Sequence, residues 1–357
     1  MKKFKKIINI IILIIITSTL TCCNVNAKTI NAVSNIAITK PIKVGVLLNN
    51  YYNPYNLLIK KNLEDIQKEN EGKVQFTFFD GKSNSAIQSE TVNNMIVNNY
   101  DLIVLAVLEE KEPKLTADFI YKARQKNIPL IFFNLNPAIS NVIKSYPKSI
   151  AINTDSAQSG ILQGKMIVDA WNNDKKNIDK NSDNIMDYIM IKGQPGSFVT
   201  ETRTERSSST INDAGINTKE LSSVTANWDP DLAKDVMEQL LFKYGNNIEV
   251  VIANNDAMAI GAVKALQKYG YNLGDKERTI PVFGIGGVPE AQELIKKGFM
   301  AGSVFQNPRE VADAIYSVGM NLVSGKAPLE GTNYKFDETG AIIYIPFQEY
   351  TAQHKNS

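Results

Sequence analysis

The chain has 357 residues, of which 43% are hydrophobic and 21% are charged, and its formal net charge is +2. These values are ordinary for a soluble globular protein, and no basic stripe or aromatic-interleaved basic patch points to a nucleic acid partner. The only histidine is His354, close to the C-terminus. The sequence therefore excludes a histidine-based catalytic triad, general base or metal site in the body of the chain.

Residues 1–27 have the features of an export signal. They contain four lysines and no acidic residue, and the apolar run 7–16 is too short to span a bilayer. The segment 20–23 resembles a bacterial lipobox with Cys23 as the lipidated residue, whereas Ala27 would end an ordinary cleavage site. Both alternatives predict an extracytoplasmic protein without a disulfide, and the first adds a lipid anchor at the outer face of the cytoplasmic membrane.

Residues 28–40 are polar and aperiodic, which predicts a tether. Apolar strands and amphipathic helices then alternate along the chain. The predicted strands of the first module are 42–48, 74–79, 102–108 and 128–133, and its predicted helices are 57–70, 85–98 and 113–126. The strands are almost continuously apolar, which is typical of a parallel sheet covered on both faces.

The same pattern begins again after Asp155. The predicted helices are 156–173, 200–214, 229–244, 256–269, 289–297 and 308–324, and the predicted strands are 185–191, 219–224, 250–253, 281–285 and 302–305. Two α/β modules in tandem predict a cleft between them. Ligands of open α/β sheets lie beyond the carboxyl ends of the strands, so the residues that follow the strands are the candidate lining.

The loop between the first helix and first strand of the second module has the spacing of a calcium site. Oxygen-bearing side chains occupy its first, third, fifth and ninth positions, and a backbone carbonyl falls at the seventh. These ligands are Asp179, Asn181, Asp183, the carbonyl of Ile185, and Asp187. The sixth position is Asn184 in place of the usual Gly, and the twelfth is Met190 in place of the usual bidentate Glu, so that ligand must come from elsewhere. A solvated polar loop is the alternative interpretation.

Several longer motifs occur in one order along the chain. They are Lys192-Gly-Gln-Pro-Gly196, Ala226-Asn-Trp-Asp229, Val251-Ile-Ala-Asn-Asn-Asp-Ala-Met-Ala-Ile-Gly-Ala262, Ile280-Pro-Val-Phe-Gly284 and Pro289-Glu-Ala. From about residue 42 to residue 350 the chain resembles the D-galactose/D-glucose-binding proteins that feed bacterial sugar ABC importers. The resemblance implies the α/β periplasmic-binding-protein type I fold, with two doubly wound parallel-sheet lobes joined by a three-segment hinge.

The resemblance also implies how the chain divides between the lobes. Residues 41–152 and 308–332 would form the N-terminal lobe, and residues 153–307 and 333–350 the C-terminal lobe with the calcium loop. The last strand, near residues 341–346, would belong to the C-terminal lobe. The bidentate glutamate of the family's structural Ca²⁺ site matches Glu249.

Residue by residue, the resemblance extends to the sugar pocket. The matching positions are Asn53, Tyr55, Ser197, Arg203, Trp228, Asn255 and Gln306. Tyr55 and Trp228 would sandwich the sugar ring. The chain departs from the family where Asn53, Val199 and Gly286 replace aspartates and Val107 replaces an asparagine. We therefore expect weaker binding of free galactose or glucose and a better fit for a substituted sugar such as a glycoside.

The resemblance implies a monomer that delivers a sugar to an ABC permease in the membrane. A ligand sensor that reports to a chemoreceptor or sensor kinase is the alternative, and genes for a permease or a kinase beside this one would separate the two. An enzyme is disfavoured. Ser145-Tyr-Pro-Lys148 and Ser182-Asp-Asn184 echo serine β-lactamase motifs, but no Lys-Thr-Gly follows them.

Overall fold

A computed structural model describes residues 40–106, 113–133 and 135–352. Its first sheet has six strands in the order β11-β5-β4-β3-β1-β2, and all neighbours run parallel. These strands are β1 (Ile42–Leu48), β2 (Val74–Asp80), β3 (Leu102–Leu105), β4 (Leu130–Phe133), β5 (Ser149–Thr154) and β11 (Ile342–Ile345). The predicted parallel module is confirmed.

The second sheet also has six strands, in the order β12-β10-β9-β8-β6-β7. They are β6 (Ile185–Lys192), β7 (Asn217–Thr225), β8 (Val250–Ala253), β9 (Val282–Gly286), β10 (Gly302–Gln306) and β12 (Phe347–Thr351). Only β12 is antiparallel, to β10. The two sheets have matching strand orders, which confirms the prediction of two similar modules in tandem.

Helices follow the strands, and most begin at the strands' carboxyl ends. They are α1 (Pro54–Glu69), α2 (Ser85–Val97), α3 (Lys114–Gln125), α4 (Ser140–Lys144), α5 (Ser156–Ile178), α6 (Phe198–Asp213), α7 (Pro230–Tyr244), α8 (Asp256–Lys268), α9 (Pro289–Lys296) and α10 (Pro308–Val323). Helix α5 continues five residues beyond its predicted end, past a non-helical residue at Asp174. No helix in the described ranges combines the length and apolar character needed to cross a bilayer.

Side-chain caps fix where the helices start. Seven cap residues accept a backbone N–H of the first helical turn: Asn53, Asn84, Asp155, Ser197, Asp229, Asn255 and Asn307. Such a cap stabilises a helix by about 1 kcal/mol because it satisfies a donor that has no partner within the helix. The caps therefore set the positive ends of the helix dipoles at the carboxyl edge of each sheet.

Each sheet is buried on both faces. Along β1, Val46 packs with α1 and α10 in one apolar cluster, whereas the adjacent Leu47 packs with residues of α2 and α3 in another. The second sheet is divided in the same way, with Ile189 and Met190 of β6 in separate clusters. This alternation follows from the period of two in a strand and explains the near-continuous apolar runs in the sequence.

The chain crosses between the sheets three times, as the fold class requires. The crossings lie at residues 154–156, 306–308 and 345–347, between β5 and α5, between β10 and α10, and between β11 and β12. One part of the predicted lobe division differs from the structure. Residues 342–345 were assigned to the second lobe, but β11 pairs with β5 in the first sheet, and only β12 enters the second.

The physical reason is that only Pro346 separates the two strands, so one short segment supplies an edge strand to each sheet. Proline lacks the backbone N–H that would continue a ladder. The export signal 1–27, Cys23, the tether up to residue 39, Val107 and His354 lie outside the described residues.

Candidate functional site

A cleft of about 200 Å³ lies at the carboxyl ends of the strands of both sheets. Its lining includes residues at or just after strand ends: Asn49, Ala106, Asp155, Gln194, Trp228, Asn255, Gly286 and Gln306. Strands of a parallel sheet share one carboxyl edge, so residues far apart in the sequence meet there. The structure therefore places this cleft where the strand pattern predicted it.

All seven predicted ligand-binding residues line this one cleft. Asn53 and Tyr55 come from the first lobe, and Ser197, Arg203, Trp228, Asn255 and Gln306 come from the second. Val199 and Gly286, which the resemblance places among the diverged positions, line it as well. Contact of each side chain with a ligand remains a prediction.

The two aromatic residues approach from different lobes. Tyr55 packs against the apolar cores of both lobes, and its hydroxyl oxygen is fully buried with no hydrogen-bond partner among the described residues. Burial raises the pKa of this phenol well above its usual value, although the charge of Arg203 opposes the shift. The phenol therefore stays protonated at neutral pH.

Trp228 is held in an unusual backbone conformation. Its φ is +68°, and φ of the preceding Asn227 is +49°. A non-glycine residue in this region costs of order 1–3 kcal/mol, and such strain clusters at functional sites. Gly193 makes room for the indole, because a Cβ at that position would collide with the ring. Gly193 of the 192–196 motif therefore has a packing role.

Arg203 is buried in the wall of the second lobe, with 8% of its surface exposed. Its Nη1 donates to the Asn254 carbonyl oxygen at 2.8 Å, and its guanidinium lies 5.9 Å from the ring centre of Phe347. The Asn254 side chain in turn accepts from Gly193 N at 3.1 Å and donates to Thr204 Oγ1 at 3.1 Å. Asn254 thus joins the arginine to the loop that seats Trp228.

Three predicted ligand residues are also helix caps. Asn53 Oδ1 accepts from Tyr55 N at 3.0 Å, Asn255 Oδ1 accepts from Met258 N at 2.9 Å, and Ser197 Oγ accepts from Thr200 N at 3.4 Å. The capping role that the sequence allows for Asn255 is therefore present in the structure. The Nδ2 groups of Asn53 and Asn255 have no hydrogen-bond partner among the residues that the structure describes.

A buried carboxylate supports the floor of the cleft. Asp256 is 1% exposed, and its Oδ1 and Oδ2 accept from Ser303 Oγ at 2.6 Å and Val288 N at 2.8 Å. Burial raises its pKa to about 6, against the opposing effect of these hydrogen bonds and of Arg203. Gly286 lies directly against it with φ of +140°, and a Cβ there would be 3.2 Å from Asp256 Oδ2.

Sequence reasoning missed several lining residues, among them Asp155, Asp256 and Tyr344. Asp155 directly follows β5 and Asp256 comes three residues after β8, and this position was a usable signal. Tyr344 lies on β11, the strand that the sequence assigned to the other sheet, so no local signal indicated it.

The predicted calcium loop folds into a tight turn. Asn184 and Ser182 have φ of +65° and +59°. Asn181 Oδ1 accepts from Asp183 N at 2.9 Å, and Asp183 Oδ1 accepts from Ile185 N at 2.8 Å. Asn184 thus takes the positive φ for which the usual Gly is suited, as an Asn tolerates.

Glu249 reaches this loop from the residue before β8. Its Oε1 and Oε2 accept from Lys180 N at 2.7 Å and Asp187 N at 2.9 Å. Burial raises the pKa of Glu249, and the nearby charges of Asp179 and Asp187 raise it further, while the two backbone N–H groups lower it. The structure therefore brings Glu249 together with both ends of the loop.

Two carboxylate oxygens of the loop bear on whether its donor set fits Ca²⁺. Asp179 Oδ1 and Asp187 Oδ1 are fully buried and have no hydrogen-bond partner among the described residues, which leaves two carboxylate oxygens to be satisfied. Over the same residues, no three side chains of His, Cys, Asp or Glu are gathered closely enough for a metal site. The two unpaired oxygens support a Ca²⁺ site more strongly than this absence of a side-chain cluster opposes it. Ca²⁺ also binds amide and backbone carbonyl oxygens, which Asn181 and Ile185 would supply.

Comparison with known proteins gives the family. The model of the periplasmic binding protein domain matches residues 44–327. The D-galactose/methyl-galactoside binding periplasmic protein of Haemophilus influenzae is 30% identical over 306 residues, which are 85% of this chain and 88% of that protein.

Solved structures agree on the fold. An ABC transporter periplasmic solute binding protein of Actinobacillus succinogenes with bound D-allose has a TM-score of 0.71 at 21% identity, with 88% of this chain and 98% of that chain covered. One from Bacillus halodurans with bound myo-inositol has a TM-score of 0.70 at 23% identity, with 88% and 96% covered. The chain therefore belongs to the periplasmic binding protein family and is a solute-binding protein rather than an enzyme.

Proposed function

We propose that this protein captures a monosaccharide or glycoside outside the cytoplasm and delivers it to an ABC permease. One observation carries the proposal: aromatic and polar side chains from both lobes line one cleft, with Tyr55 and Trp228 entering from different lobes. Aromatic faces suit the apolar faces of a sugar ring, and convergent amides suit its hydroxyls. The relatives named above for galactose or methyl-galactoside, allose and myo-inositol support a cyclic polyol and leave its identity open.

Free galactose or glucose is not the preferred ligand in this proposal. Val199 and Gly286 line the cleft without a side-chain hydrogen-bonding group. A sugar hydroxyl desolvated against such a wall loses about 1–3 kcal/mol, and each 1.4 kcal/mol weakens binding about tenfold. A substituted sugar would fill the space at Gly286 without this penalty.

A thermal-shift screen across hexoses, pentoses, glycosides and nucleosides tests the function, followed by calorimetry on each hit. Binding raises the melting temperature by mass action when a ligand binds the native state alone. We expect at least one carbohydrate to raise it and unmodified galactose and glucose to bind more weakly than micromolar. Submicromolar binding of either hexose would contradict the predicted specificity, and a response confined to nucleosides would contradict sugar binding.

Two further parts of the proposal concern the ion and the cellular location. Structural Ca²⁺ would be held by Asp179, Asn181, Asp183, the Ile185 carbonyl, Asp187 and Glu249, and would neutralise the carboxylates gathered there. Export followed by lipidation at Cys23 would hold the protein, as a monomer, beside its permease. Metabolic labelling with a radioactive fatty acid, compared between the native chain and Cys23→Ser, tests the anchor.

A further inference from the structure

The proposed ion site at loop 179–187 holds more negative charge than one Ca²⁺ can balance. Four of its proposed ligands are carboxylates, those of Asp179, Asp183, Asp187 and Glu249. Ca²⁺ supplies two positive charges, so two negative charges would remain beside the bound ion. Like charges close together repel each other, and a nearby cation relieves the repulsion. A side chain that supplies such a cation therefore affects both the ion-free and the ion-bound loop.

Lys219 forms a salt bridge with one of these carboxylates. Its Nζ lies 3.5 Å from Asp187 Oδ2. Within the described part of the chain, no other salt bridge involves any of the four. Lys180 belongs to the loop itself, but its Nζ donates to the Glu277 carbonyl oxygen at 3.1 Å. Lys219 is therefore the candidate for the balancing cation.

The sheet determines the position of Lys219. Asp187 lies on β6 and Lys219 on β7, and the two are register partners in the parallel ladder, so their side chains share one face of the sheet. Strand β7 is at the edge of the second sheet. The Lys219 side chain is 63% exposed, whereas that of Asp187 is 4% exposed. The lysine thus reaches a buried carboxylate from the solvent side.

The two carboxylate oxygens of Asp187 have different surroundings. Oδ2 is paired with Lys219, whereas Oδ1 is buried and has no hydrogen-bond partner among the described residues. Oδ1 can bind an ion while Oδ2 stays paired. An ammonium group on the carboxylate that binds Ca²⁺ lies close to the ion and repels it. Without the ion, the same ammonium group stabilises a buried charge that would be costly alone.

We propose that Lys219 is a built-in counter-cation of the loop, which stabilises the ion-free protein and lowers its affinity for Ca²⁺. This inference rests on the Ca²⁺ site of the proposed function and adds a residue that sets its affinity. Most of the Lys219 side chain is exposed, so solvent and salt screen its charge. The expected effect on the dissociation constant is therefore only about three- to tenfold.

Calorimetric titration with Ca²⁺ tests the proposal on the native protein, Lys219→Gln and Lys219→Arg, each first treated with chelator. Lys219→Gln should bind Ca²⁺ about three- to tenfold more tightly, and Lys219→Arg, which keeps the charge, should bind with native affinity. Denaturant unfolding in excess chelator should show the opposite order, with Lys219→Gln less stable than the native protein. Loss of a merely structural contact would not strengthen ion binding.

Lys264→Gln is the matched control in the same lobe. Lys264 Nζ forms a salt bridge with Glu290 at 3.0 Å, and its side chain is 54% exposed, close to the value for Lys219. The substitution changes the net charge equally, but Glu290 is not among the proposed Ca²⁺ ligands. Its affinity for Ca²⁺ should equal that of the native protein.

Weaker or unchanged Ca²⁺ binding by Lys219→Gln, or native stability of this variant in excess chelator, would overturn the inference and leave the proposed Ca²⁺ site standing. Equally tightened binding by Lys264→Gln would also overturn it, because net charge alone would then explain the effect. If the native protein binds no Ca²⁺, the proposed ion site and this inference fall together, whereas sugar capture is decided by its own screen.

Discussion

The cleft and the loop 179–187 use the same residue types to opposite effect. In the cleft, Asn and Asp oxygens are taken up by the backbone N–H groups that begin helices, and amide donors remain. In the loop, Asp179 and Asp187 each keep a buried carboxylate oxygen without a partner among the described residues. Amide donors therefore remain at these two cleft positions, and carboxylate acceptors remain in the loop. Where the backbone points its N–H groups, rather than composition, decides which polar atoms of such a cluster remain for a ligand.

The largest expected effect is that of removing the Ca²⁺ proposed for the loop. Ca²⁺ at a hundred to a thousand times its dissociation constant should raise the free energy of unfolding by about 3–4 kcal/mol, because an ion that binds only the native state stabilises it by mass action. Denaturant unfolding with Ca²⁺, with Mg²⁺ and with excess chelator measures this. Equal stability in all three conditions would mean that the loop is a solvated turn.

The substitution Asp183→Asn makes the same test more specific. The Asn side chain can still accept the hydrogen bond from Ile185 N, so only one negative charge is lost. Asp80→Asn is its matched control in the first lobe, where Asp80 Oδ1 accepts from Lys82 N at 2.9 Å. Only the substitution in the loop should reduce the stabilisation by Ca²⁺.

The carboxylate under the cleft should show a pH dependence. The folded pKa of Asp256 is about 6, above its reference value of 3.8. A raised pKa in the folded state means that the native protein binds this proton more tightly than the unfolded chain. The associated stability is therefore complete below pH 4 and is lost as the pH rises through about 6, a change of about 3 kcal/mol.

Unfolding free energies of the native protein and Asp256→Asn at pH 4, 5, 6 and 7 isolate this effect from other titrating groups. The difference between the two proteins should change most between pH 4 and 6 and less between pH 6 and 7. Parallel curves would show that Asp256 keeps its ordinary pKa.

The sequence predicted the fold in detail because its signals are local. Apolar runs and the cap Asn255 mark where elements begin, and the parallel order then determines which residues share an edge. The assignment failed at β11, because pairing with β5 joins residues almost two hundred positions apart and leaves no local trace. Tyr344 was missed for the same reason.

Gly286 shows a different limit of sequence reasoning. From the sequence alone, the residue marks the loss of an acidic side chain. In the structure its φ of +140° is the more important property, since a glycine is suited to this conformation beside Asp256. Restoring a side chain would therefore disturb the backbone as well as the ligand.

Gly286→Ala should lower the free energy of unfolding by about 1–3 kcal/mol, the usual cost of such a conformation, with a further contribution from the contact at 3.2 Å. Gly215→Ala is the control for conformation alone, because Gly215 has φ of +80° and a Cβ there would meet no atom within 4 Å. Denaturant unfolding of both variants measures the difference. A larger cost at Gly215 would show that the backbone at Gly286 adjusts freely.

The smallest expected change is in the overall size of the protein when ligand binds. The cleft and the loop differ here as well, because the proposed Ca²⁺ ligands belong to the second lobe alone, whereas the cleft takes side chains from both lobes. Three crossings, at residues 154–156, 306–308 and 345–347, join the lobes, and hinge motion at such short segments is a common way to close on a ligand.

Tyr55 already packs against both cores, so the structure corresponds to the closed arrangement. Without ligand the Tyr55 hydroxyl would be buried at a cost of about 1–3 kcal/mol, which favours opening to water. Solution scattering should therefore give a larger radius of gyration without ligand than with saturating ligand, whereas Ca²⁺ alone should leave the radius unchanged. The same radius in both ligand states would mean that the lobes are fixed and that the ligand enters a preformed cleft.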